Sequence, residues 1–164
     1  MSAPDSSRPD IPRLPHLTTR DLNGTRRKLP NGRLSVLVIA YQRWQQLEVD
    51  TWVPALHAIE HAFDDLSYYE LPVVGETSAI GRRNLDFWMR RGIPDRGTRA
   101  RTLTFYVDTA GFREPLGIPD EEHIAVVLVD VDGLVLWRGS GAHTPAAERS
   151  LRLAIRNATS RPTH

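Results

Sequence analysis

Hydrophobic and polar positions alternate along this chain with two different periods. Leu34-Ser35-Val36-Leu37-Val38-Ile39-Ala40-Tyr41 is an uncharged, β-branched run and predicts a strand buried on both faces. After the polar corner Gln42-Arg43-Trp44-Gln45-Gln46, the period changes. Val49, Trp52, Val53, Leu56, Ile59 and Phe63 recur every three or four residues and predict a long amphipathic helix. Strand, corner and helix make the first half of a βαβ unit, whose corner is the usual place for function.

The same reading extends both ways. Asn23-Gly24 predicts a hairpin between Leu17-Thr18-Thr19 and Arg26-Arg27-Lys28-Leu29. Further strands are expected at 66–74, 103–107, 124–129 and 134–137, with a turn at Asp130–Gly133. Helices are expected from Thr77 or Ser78 to Arg91, from Thr109 to Leu116, and after Thr144-Pro145. In the last, Thr suits the N-cap and Pro the first helical position. Residues 1–15, with four prolines and no period, are expected to be disordered, residues 16–158 to form one domain and residues 159–164 to fray. The strands are expected to form one central mixed sheet with helices on both faces: an α/β domain with an N-terminal β-hairpin.

Composition narrows the function. The 164 residues include no cysteine, which excludes disulfides, thiolate nucleophiles and thiolate metal sites. The net charge of +1 argues against a dedicated nucleic-acid binder. No apolar run is long enough to span a membrane, and Met1–Pro15 has no apolar core of a secretory signal, so a cytoplasmic location is expected.

Val36–Glu48 resembles the active-site corner of thioredoxin-like reductases, in the peroxiredoxin and thiol-reductase branch. Trp44 takes the place of the tryptophan there, and Gln45 and Glu48 take the places of the two cysteines. Ile124 stands where that superfamily has a cis-proline, and a trans bond is expected here because a non-proline cis bond costs about 2.5–4 kcal/mol. Val129–Glu148 is similar to the end of the mitochondrial ATP synthase assembly factors of the "protein ten" family, through Trp137, Ser140, Gly141, Thr144 and Pro145. The resemblance implies a thioredoxin-like fold without redox chemistry that serves protein contact.

Other patterns are weighed and set aside. His57-x-x-Glu60-His61 has the spacing of a zinc motif, but both histidines lie off the buried stripe, so solvent exposure and no metal are expected. Asp130-x-Asp132-Gly133 is a fragment of a calcium loop and reads as a hairpin turn. Gly139-Ser140-Gly141 lacks the lysine of a phosphate loop and reads as a capping turn. Charge is segregated. Trp44–Gly81 holds seven acids and no Lys or Arg, and Arg82–Arg101 seven arginines and two acids. On the helix expected there, Phe87 lies near Arg83, Arg90 and Arg91, a hot-spot composition.

The expectation is a redox-inactive, chaperone-like or binding module for a protein client, with no cofactor and no catalytic residue. Its partner surface is Tyr41, Arg43, Trp44, Gln45 and Glu48, with Arg83, Phe87, Arg90 and Arg91. A cysteine-free, transferase-like enzyme using a hydroxyl such as Tyr41, or a peroxiredoxin-derived oligomer subunit, are the alternatives.

Overall fold

The computed structural model describes residues 12–74, 100–103, 105–106 and 109–160. Two strands, β1 (Leu17–Arg20) and β2 (Arg26–Leu29), form the expected antiparallel hairpin. Gly24 takes a positive φ in its turn, and the buried Asp21 caps the turn by accepting from the backbone N–H of Asn23 and Thr25.

A five-stranded sheet follows. Its strands are β3 (Leu34–Ala40), β4 (Leu66–Val74), β5 (Phe105–Tyr106), β6 (Ala125–Val129) and β7 (Val135–Ser140), in the spatial order β5-β4-β3-β6-β7. β3 pairs parallel with β4 and antiparallel with β6, so the most apolar strand sits in the centre, as its uncharged run requires.

Helices cover both faces. On one, Trp52, Leu56 and Ile59 of α1 (Gln46–Ala62) and Leu151 and Ile155 of α3 (Pro145–Thr159) pack on Val36, Val38, Val126 and Leu128. On the other, Phe112 and Leu116 of α2 (Thr109–Leu116) join Leu37, Ile39, Val127 and Leu29 of the hairpin. Full burial of each such side chain is worth about 1.5–3 kcal/mol, so both layers hold β3 in place. Thr144 caps α3 as expected, its hydroxyl accepting from Ala147 N–H.

The stretch expected to be disordered is tied down at its end. Val135 N–H donates to Pro12 C=O, Leu14 N–H to Gly133 C=O, and the Leu14 side chain enters the core. Three prolines hid this one apolar anchor from a reading based on composition. The expected helix over residues 77–91 lies outside the described residues, and so do Arg83, Phe87, Arg90 and Arg91.

Candidate functional site: the corner after β3

β3 delivers the chain to a 3-10 turn at Arg43–Gln45, which runs directly into α1. The turn is held from below by Gln45. This side chain is completely buried, and each of its polar atoms is used. Its Oε1 accepts from the backbone N–H of Tyr41 at 2.8 Å and of Gln42 at 3.3 Å, and its Nε2 donates to Glu121 C=O at 2.7 Å.

Glu48, one helical turn on, does the same for the other side of the loop. One carboxylate oxygen accepts from Ile124 N–H at 3.2 Å, and the other meets His123 Nδ1 at 3.1 Å. The peptide bond entering Ile124 is trans, as expected. Gln45 and Glu48 therefore tie the corner to the loop before β6. Expected to face a partner, Gln45 and Glu48 face the protein instead, because buried backbone N–H and C=O groups need partners.

Trp44 is the outward residue. It is 48% exposed, donates to Gln42 Oε1 at 3.0 Å and meets the His123 ring edge-to-face at 6.3 Å. Leu47, three residues on, is 73% exposed. Trp44, Leu47, Val131 and Leu153 are the exposed large apolar side chains of the described residues, and two of them meet at this corner. The Arg43 side chain is not among those described.

Tyr41 points the other way, into the layer that holds α2. Its hydroxyl is buried with no hydrogen-bond partner, and burial pushes its pKa well above the ordinary range. That shift favours the neutral phenol over the phenolate. On the α1 side, Glu70 of β4 is buried in a pocket with Val38, Gln46, Val49 and Thr102. Burial raises its pKa, opposed by a hydrogen bond with Gln46 and reinforced by Asp50.

Glu48 and His123 form a carboxylate–imidazole pair. The Glu48 side chain is 14% exposed and that of His123 55%. The carboxylate orients Nδ1 inward, and His123 Nε2 has no partner among the described residues. Such a pair can hold or move a proton but brings no nucleophile.

His57 and His61 are both exposed, and His57 is engaged with the Tyr68 hydroxyl at 3.1 Å. Among the described residues no group of three or more His, Asp or Glu is placed to hold a metal. Leu47, His123 and Glu70 were missed by the sequence reading. Leu47 had a signal, as a leucine off the Val49–Trp52–Leu56 stripe, and Glu70 had one as an acid inside an apolar strand. His123 had one in its place before the residue that replaces the proline.

No protein-family model matches the sequence, and no curated protein is significantly similar to it. Solved structures are similar in fold. The thioredoxin domain of a thiol-disulfide oxidoreductase from Bacteroides vulgatus is 18% identical with a TM-score of 0.57, over 89% of this chain and 97% of that one. BsSco, a member of the Sco family of cytochrome c oxidase assembly proteins, is 11% identical with a TM-score of 0.63, over 94% and 98%. An exposed lipoprotein thioredoxin from Streptococcus pneumoniae is 16% identical with a TM-score of 0.57, over 85% and 98%. The likeness of Val129–Glu148 to the ATP synthase assembly factors finds no support among them. Among the described residues, no helix is long and apolar enough to cross a membrane. The chain has a thioredoxin-like α/β fold and contains no cysteine.

Proposed function

We propose that this protein is a redox-inactive, thioredoxin-fold binding module, with a protein client that docks on the corner through Trp44 and Leu47. The observation that carries this reading is the division of labour at the corner. The cysteine places are spent on fixing the loop, while a tryptophan and a leucine are left exposed side by side. A rigid corner presenting an aromatic anchor loses little entropy on binding, and truncating such an anchor typically costs 2 kcal/mol or more. A chaperone-like or assembly role is in keeping with the fold likeness to BsSco, a member of a family of assembly proteins. A cytoplasmic setting belongs to the same proposal.

The test is a photo-crosslinking amino acid placed at Leu47, with Val131, another exposed apolar position, as the control. In the native host the Leu47 probe gives a discrete protein adduct that Trp44→Ala suppresses, and the Val131 probe does not. On the isolated client, Trp44→Ala raises Kd at least about thirtyfold. The same adducts at both positions, or none at Leu47, would overturn the reading.

The Glu48–His123 pair favours a second reading, a cysteine-free hydrolytic enzyme with His123 Nε2 as general base. Hydrolysis of activated esters that is lost in His123→Ala, with the fold intact, would support it; equal turnover in both proteins would remove it.

A further inference from the structure

The N-terminal hairpin carries an arrangement that its own stability does not explain. The register sets Arg20 directly opposite Arg26, and Thr18 opposite Lys28. All four side chains are exposed, and the alternation of β-strands puts them on one face. The other face looks inward, where Leu29 enters the core and Arg27 pairs with the buried Asp21 at 2.9 Å. Like charges directly opposite weaken a β-ladder, and a two-stranded hairpin has little stability to spare. Arg20 donates to Gly24 C=O, while the side chains of Arg26 and Lys28 have no partner among the described residues. The face holds three cations and no acid.

A groove lies beside it. β1 and β2 form a two-stranded sheet, Asp21 just after β1 bridges to Leu103, and among the described residues no strand pairs with the outer edge of β2. A cavity of about 440 Å³ is lined by all of β2, by Pro30 and Asn31, and by Tyr69 of β4. Through Arg27 and Tyr69 it is continuous with a second groove of about 650 Å³ that also has Arg33 on its wall. In that second groove Arg101 is already neutralised by Glu60, whereas among the described residues the Arg33 guanidinium bonds only to the backbone carbonyl of Asp64.

We infer that the edge of β2 is a docking site for an extended acidic peptide, which adds as a third strand with carboxylates at alternate residues facing Arg26 and Lys28. Arg26 and Lys28 are two residues apart, about 6.6–6.8 Å along a strand, which is the spacing of every second side chain in an extended partner. An unpaired strand edge offers N–H and C=O groups in alternation, and a peptide backbone answers both. A nucleic acid would meet the cations but leave that edge unsatisfied. This site is separate from the corner, at the opposite end of β3.

Fluorescence anisotropy of the full chain tests it, with labelled octapeptides of four Thr and four Glu. One alternates the two residues, one carries the four Glu in a block, and one alternates them on an N-methylated backbone that cannot pair. The alternating peptide binds at least about tenfold tighter than the other two, weakens as salt rises, and loses at least tenfold in Arg26→Glu/Lys28→Glu. Trp44→Ala leaves it unchanged, so failure here and failure at the corner are read separately. Equal binding of all three peptides, no effect of the charge reversal, or tighter binding of a single-stranded oligonucleotide of eight residues would overturn the inference. Should the double variant unfold, the peptide series on the unaltered protein decides by itself.

Discussion

The two ends of β3 solve opposite problems with polar side chains. At its C-terminal end, Gln45 and Glu48 turn inward and satisfy the backbone of a loop, and Trp44 and Leu47 stay exposed. At its N-terminal end, Arg26, Lys28 and Arg33 form no ion pair among the described residues, and they line open grooves. The difference teaches where to look for function when a fold has lost its reactive groups. A polar residue in a catalytic place is structural when the backbone consumes it, and charge is available for recognition only where no neighbour consumes it.

The comparison breaks if Gln45 can be removed without penalty. Gln45→Ala leaves the N–H groups of Tyr41 and Gln42 without their acceptor and removes one of the two donors to the carbonyl of Glu121, which Gln42 Nε2 still reaches. We expect a loss of about 3 kcal/mol, and a melting temperature lower by about 6–12 °C. An unchanged melt would show that the corner is not held from below. Glu48→Ala should cost less, about 1–2 kcal/mol, with Glu48→Gln recovering part of it through the bond from Ile124 N–H.

Acids sharpen the contrast through pH. Burial raises the pKa of Glu70, so its contribution is most favourable below the unfolded pKa and is lost as pH rises through the folded value. Glu70→Gln should therefore raise the melting temperature at neutral and alkaline pH, by less than the Gln45 change lowers it, and the gain should vanish in acid. Hydrogen bonds from His143 and Arg152 lower the pKa of Glu148 instead. The stability it lends α3 is present above the unfolded pKa and falls away as pH drops through the folded one. Melting curves of Glu148→Gln across acidic pH should converge on those of the unaltered protein. The smallest effect is at the outward residue: Trp44→Ala should change stability by no more than about 0.5 kcal/mol, and a large loss would make Trp44 a core residue.

Much of this architecture is legible in the sequence, for local reasons. The β-branched run of β3, the helical period of α1, the Asn23-Gly24 turn and the Thr144-Pro145 cap each act over a few residues, and each is found as read. The corner is less legible. That Gln45 is buried depends on Glu121, 76 residues away, and no local pattern encodes that contact. Tyr41 could not be read as turned inward, since whether a residue at a strand end faces one layer or the other depends on the helix that packs there.

The long reach of the two bonds that secure the corner has a kinetic consequence. Gln45 and Glu48 bond to residues 76 positions later in the chain, whereas β3, α1 and β4 are consecutive and can assemble with short loop closures. Contacts of high sequence separation form late, since the entropy of closing the loop must be overcome first. Removing the Gln45 side chain should therefore accelerate unfolding and leave the folding rate almost untouched. On a chain emerging from the ribosome, the corner can be tied down only after residue 124 has been made.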